Sequence, residues 1–403
     1  MNPRLPITFI LITLTIDAMG IGLILPVMPS LIREINGGGL GEAALWGGIL
    51  ATAFAVMQFL FGPVLGSLSD RFGRRPVLLI SLGVLAIDYL VMAVAGTMWL
   101  LLLTRVIGGI TSATQSTAAA FISDISKPEE KAARFGLIGA SFGVGFVLGP
   151  ILGGLLAEFG TRAPFLAAAA LALCNLCFGF FVMPETVTDK IRRPFRWQRA
   201  NPFGAFLNVR QVSGTSRLLM LFFLYEFAFI VYPATWAYFT AERFGWDPAM
   251  IGVSLGSFGI AIAIVQGGLI RVLLRKFGET NTVLYGFIFN GIAFLMLALV
   301  SNPTLALILT PLTALGAVVT PALQAMMARK AGDDAQGEMQ GVISSTRSLA
   351  TIVSPLVMTQ VFAFFTAADT PYYLPGAAFF LSMLLMAVCS TIYVAGLRAA
   401  RLT

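Results

Sequence analysis

Five ionisable side chains interrupt stretches that are otherwise apolar: Asp17, Asp88, Arg105, Glu226 and Arg347. A charge held in hydrocarbon costs several kcal/mol on most estimates, so each is a candidate for chemistry by default. Asp17 is flanked by Gly20 and Gly22. A carboxyl that is neutral in one state of a protein and charged in another couples proton movement to shape; the alternative is a structural hydrogen bond to a neighbouring helix. Asp88 carries the same two readings, the structural one first. Arg105 keeps its proton, so it needs water or an acidic partner, whose proton affinity it would tune or with which it would form a static ion pair. Glu226 and Arg347 each lie roughly nine residues into an apolar segment entered from the same side, so at ~1.5 Å per residue their depths match. They are expected either to pair, and to part as a ligand or proton arrives, or to face a wet cavity independently.

Other chemistries are excluded by composition. The chain has no histidine, which removes Ser–His and Cys–His nucleophilic sites and zinc sites that need imidazole. Its cysteines are Cys174, Cys177 and Cys389. The C-x-x-C pair lies inside the apolar run 165–183, where thiolates are costly, and reads as small packing residues. No enzyme activity, cofactor, metal site or disulfide is expected.

Helices in a membrane must position these groups. Of 403 residues, 58% are hydrophobic and 11% charged, against about 25% charged in a soluble domain. A spanning helix needs about 20 apolar residues, and such stretches run near 6–29, 44–66, 76–95, 97–123, 136–158 and 163–183. A second set runs near 217–240, 249–273, 280–300, 303–327, 340–366 and 372–396. The first is too long for a signal-peptide core and reads as a span. With both termini cytoplasmic, only Arg33, Arg162 and Arg243 face the opposite side and only Arg105 and Arg347 lie in spans. Every other Lys and Arg is then cytoplasmic, which fixes the orientation. The net charge of +7 therefore reflects loops beside a membrane and not nucleic-acid binding. The expected domains are a six-helix bundle over 1–183, a basic cytoplasmic linker over 184–216 and a second six-helix bundle over 217–403. The linker should lie against anionic headgroups, and 201–207 has the composition of a short interfacial helix.

The loop after the second span reads Gly66-Ser-Leu-Ser-Asp70-Arg71-Phe-Gly73-Arg74-Arg75-Pro76. Gly66 permits close helix approach and Gly73 a turn, while Asp70, Arg71, Arg74 and Arg75 offer charge-assisted contacts that latch one conformation. Arg271-Val-Leu-Leu-Arg-Lys-Phe-Gly-Glu279 echoes it after the eighth span, as internal duplication would produce. The fifth span holds Gly145-x-x-x-Gly149-Pro150-x-x-Gly153-Gly154, glycines that let helices touch and a proline that bends the span.

These motifs resemble those of the major facilitator superfamily over essentially the whole chain, the fifth-span motif resembling its antiporter motif. Ile16-Asp17-Ala-Met-Gly-Ile-Gly, Asp88-Tyr89, Gln58, 239–246 and Pro321-Ala-Leu-Gln324-Ala resemble the proton-coupled tetracycline efflux group. The resemblance implies an all-α membrane protein, twelve transmembrane helices in two bundles, that exports an amphiphilic drug-like compound against inward proton flow. Proton coupling would fall to Asp17, Glu226, Arg105 and Asp88, and substrate binding to Gln58, Gln115, Arg347, Gln266, Asn290 and Gln324. Protons, a small molecule and the bilayer are the expected partners of a monomer in an inner (plasma) membrane. Exporters of this group carry a histidine in the eighth span and an aspartate in the ninth; here only Gln266 remains in the eighth and Asn290 stands in the ninth. Glu226 is the replacement carboxylate on this reading. The added Arg347 keeps open uptake or exchange of an organic anion or zwitterion.

Overall fold

The computed structural model describes residues 5–112, 114–189, 192–197, 200–204, 215–331 and 336–402, and the regular structure there is helical. Its first part comprises α1 (Leu5–Ile24), α2 (Met28–Asn36), α3 (Leu40–Phe72), α4 (Arg74–Val94), α5 (Met98–Thr111), α6 (Thr114–Ile125), α7 (Pro128–Leu156) and α8 (Ala163–Val182). The second comprises α9 (Ser216–Phe229), α10 (Val231–Phe244), α11 (Pro248–Ile264), α12 (Ile270–Leu299), α13 (Pro303–Thr313), α14 (Val319–Ala331), α15 (Gln336–Thr366) and α16 (Ala377–Leu402).

Several expected spans are broken, and prolines account for most of the breaks. α9 and α10 meet at Ile230, where Pro233 offers no N–H to the Phe229 carbonyl and its ring crowds that oxygen. α13 passes into α14 through a 3-10 turn, Ala314–Val318, with Pro321 denying a donor to Ala317 in the same way. The first span ends at Ile24, short of Pro26, and α2 is a separate helix closed by Gly37. The fourth is divided between α5 and α6 around Ser112 and residue 113, the latter outside the described residues.

Ten described helical stretches are long and apolar enough to cross a membrane. One, Pro248–Leu299, has 52 residues, about 78 Å of helix against a ~30 Å core, so it crosses twice. It turns at Gly278, whose φ is +72°. With the divided fourth span added, the fold is a twelve-pass, all-α membrane bundle. Residues 190–191, 198–199 and 205–214, with Lys190, Arg199, Arg210 and much of the expected interfacial helix, lie outside the described residues.

Two compact units are formed, one of 1–37, 53–202 and 247–256, the other of 38–52, 203–246 and 257–403. The first is centred on Phe9, Ile10 and Leu14 of α1, Leu78 and Leu82 of α4, and Phe121 and Ile122 of α6. The second packs aromatics: Tyr232 lies 4.6 Å from Phe258 and 5.6 Å from Phe294, centre to centre, and Trp236 and Phe239 both meet Phe379.

Candidate functional site: buried charges and a charged loop

Asp17 sits just past the middle of α1, half-buried, and no hydrogen bond or ion pair to its carboxylate forms among the described residues. Its helix is fixed by α7. Gly145, Gly149 and Gly153 recur every fourth residue and so share one face, which lies on the backbone of α1. A Cβ on Gly149 would stand 2.5 Å from the Met19 carbonyl oxygen, and one on Gly22 would stand 2.6 Å from Cδ of Pro150. Thr15 Oγ1 adds a hydrogen bond to the Ser141 carbonyl at 3.2 Å. Gly154 turns instead toward α11, where its Cβ would meet the Pro248 carbonyl oxygen at 2.5 Å.

Asp88 of α4 and Arg105 of α5 form an ion pair through Oδ2 and Nη2. The same Nη2 lies 2.7 Å from Met92 Sδ, and the guanidinium stands 5.5 Å from the centre of the Phe54 ring. The contact is single-pronged: Asp88 Oδ1 and Arg105 Nε are buried without a hydrogen-bond partner. Gln58 donates to Ser112 Oγ at 2.9 Å, and Gln115 is exposed.

The loop between α3 and α4 is a network. Gly73, at φ +111°, makes the turn. Arg74 reaches Asp70 at 2.5 Å, Asp124 at 3.1 Å and Ser69 Oγ at 2.6 Å. The first N–H groups of α4, on Arg74 and Arg75, donate to the Glu185 carboxylate at 2.9 and 3.2 Å, an anion placed where the helix dipole favours one. Arg75 also donates to the Phe180 carbonyl at 2.6 Å, whereas Arg71 is exposed beside Phe72. Gly66 departs from expectation. A Cβ there would meet open space, so the tight approach in this region belongs to Gly73, where a side chain would collide with Glu185.

In the second unit Glu226 and Arg347 are paired, Nε to Oε2 at 3.2 Å. Thr320 Oγ1 donates to the other carboxylate oxygen at 2.7 Å, and Phe222 lies 5.5 Å under the guanidinium. Glu226 keeps 15% of its side-chain exposure and Arg347 keeps 45%, so the pair is open on the arginine side. Gln266 is exposed within a π-helical turn, Val265–Leu269, and Gln324 is half-buried. Asn290 is different. It is fully buried, and its Nδ2 donates to the Gly286 and Gly316 carbonyls at 2.7 and 2.8 Å. The substrate-contact expectation for Asn290 is thus corrected: its amide ties helix backbone, out of reach of any solute in this state.

Sequence reasoning overlooked Asp124, Glu185 and Thr320. The two acids are at the ends of α6 and α8, beside a strongly basic loop, and the need to balance that loop was the available signal. Thr320 precedes Gln324 by one helical turn.

A family model described as Major Facilitator Superfamily matches residues 10–355 and 218–396. The class C tetracycline resistance protein of Escherichia coli is 42% identical over 354 residues, 88% of this chain and 89% of that one. The class D protein of Salmonella ordonez is 35% identical, covering 95% and 96% respectively. Among solved structures, the human organic anion transporter MFSD10 (TETRAN) superposes with a TM-score of 0.69 at 26% identity, over 98% of this chain and all of that one. Charged side chains at span depth, a glycine seam under a bare carboxylate and a charge-locked loop thus accompany a match over most of the chain: it belongs to the major facilitator superfamily.

Proposed function

We propose that this chain is a secondary antiporter that exports an amphiphilic, drug-like compound, a tetracycline first among candidates, in exchange for protons by alternating access. The observation that carries this reading is Asp17, a half-buried carboxylate without a partner among the described residues, on a helix locked to the Gly-Pro motif of α7. A carboxyl so placed changes its charge without breaking a fixed ion pair. Relatives named for tetracycline resistance, at 42% and 35% identity, support the substrate class.

Glu226 is the second proton carboxylate on this reading, since Asn290 carries no titratable proton. Arg347 stays paired with Glu226 until a substrate or proton displaces it. Asp88 and Arg105 tune the first-half site. Gln58, Gln115, Gln266 and Gln324 supply polar contacts to substrate, and Asp70, Arg71, Arg74 and Arg75 close the cytoplasmic face. The protein works as a monomer in an inner (plasma) membrane with both termini cytoplasmic, as bundles 1–183 and 217–403 joined by the linker 184–216, and needs no nucleic acid.

Arg347, exposed at 45%, favours a second reading in which an organic anion is taken up or exchanged. A solved relative described as an organic anion transporter is consistent with it. Cells expressing the chain separate the two. Lower accumulation of labelled tetracycline than in Asp17→Asn cells supports export, whereas equal tetracycline levels with raised uptake of a labelled organic anion support the second reading.

A further inference from the structure

Tyr89 stands between the two charged centres of the first unit, next to Asp88 in sequence and against the helix of Asp17. Its side chain is buried, at 3% exposure. From α4 the phenol reaches α1: a Cβ on Gly20 would lie 2.6 Å from Tyr89 Oη and 3.1 Å from Cζ. Gly20 follows Asp17 by three residues and so shares its face of α1. On α4, Tyr89 directly follows Asp88, which is paired with Arg105. Only glycine at position 20 leaves room for it.

Among the described residues, no other acid or base competes at this level: within the first unit α3 carries only Asp70 and Arg71, in its last turn. α7 carries Glu129, Glu130, Lys131 and Arg134 only in its first two turns, α6 carries Asp124 at its end, and α4 carries Arg74 and Arg75 at its start. α8 brings Cys174 and Cys177, both exposed. Two atoms of the Asp88–Arg105 pair, Oδ1 and Nε, are buried without partners, so the pair has capacity to answer a change of charge nearby.

We infer that Tyr89 is a positioning residue for the proton step: its hydroxyl, seated against Gly20, turns to donate to the Asp17 carboxylate when that group is charged, and so links Asp17 to the Asp88–Arg105 pair. The inference rests on Asp17 being the proton-coupling group. A phenol O–H that donates only to the charged carboxylate favours proton release, while the neutral acid leaves the phenol against Gly20.

The test is Tyr89→Phe in proteoliposomes, with substrate-driven proton flux measured across pH. This variant keeps the ring and its contact with Gly20 and removes only the donor. The midpoint of the pH–flux profile should move toward alkaline pH by about one unit, with thermal stability little changed. Asp88→Asn should diminish that shift in the double variant, because the hydroxyl would no longer report on an intact pair. An unchanged midpoint in Tyr89→Phe, with flux abolished in Asp17→Asn, would overturn the role of Tyr89 and leave Asp17 standing. Flux persisting in Asp17→Asn would overturn the proton reading itself. Lowered stability of Tyr89→Phe without a shifted profile would make the tyrosine structural only.

Discussion

Glu226 accepts from Arg347 on one carboxylate oxygen, at 3.2 Å, and from Thr320 on the other, at 2.7 Å. Both oxygens are occupied, which sets this carboxylate apart from Asp17. Loss of its negative charge would weaken its hold on Arg347. On the antiporter reading, a change of charge at Glu226 is linked to movement of α15 or α14 relative to α9, the kind of two-state element that coupling requires.

Replacing Glu226 by Gln should therefore lower proton-coupled transport by about tenfold, within the 5- to 150-fold range of ordinary coupling energies. Asp88→Asn should have the smaller effect. Initial rates in vesicles at matched expression decide the order, and the reverse order would remove Glu226 as a relocated proton site.

Arg74 holds Asp70 and Asp124 together. Arg74→Ala leaves the two carboxylates facing one another, and the Asp124→Ala single variant leaves the arginine half-satisfied. A double-mutant cycle on thermal stability should return a coupling of about 1 kcal/mol, since the guanidinium and the Asp124 carboxylate are both largely, though not fully, shielded. A coupling near zero would mean that the Arg74–Asp124 contact adds nothing to the stability of the loop.

Gly149→Ala should impair folding and transport together, because the new methyl falls 2.5 Å from the Met19 carbonyl oxygen and overpacking of this kind costs about 1–3 kcal/mol. Gly66→Ala, which enters open space, should leave detergent stability unchanged. Melting curves of the two variants check the contrast.

At Asn290 the amide is needed as a donor to two carbonyls. An aspartate there can donate once when protonated and not at all when charged. Asn290→Asp should therefore be nearly as stable as the parent in acid and lose stability as pH rises above about 4, where an unfolded carboxyl ionises. Melting temperatures from pH 4 to pH 8 test this, and a flat difference would contradict the donor role.

The long passes were legible because bilayer thickness demands runs of apolar residues that nothing else in the sequence resembles. The matched depths of Glu226 and Arg347 were legible for a related reason: helical rise converts residue count into depth. Breaks at Ile230 and at 314–318 were encoded by Pro233 and Pro321, but a hydropathy run does not show where a carbonyl is displaced. Partners contributed by distant segments were hidden. Nothing local to Arg74 names Glu185, more than a hundred residues away, and nothing local to Asn290 reveals that its site is sealed. At Gly66 small size permits contact without requiring it.

Proton coupling through Asp17 is the central claim, and purified protein in liposomes tests it most directly. A lumenal pH dye would report proton movement when tetracycline with magnesium is added to one side, in the parent and in Asp17→Asn. The account predicts substrate-dependent proton flux in the parent and none in the variant, with both proteins melting at similar temperatures. Equal proton flux in the two would contradict it.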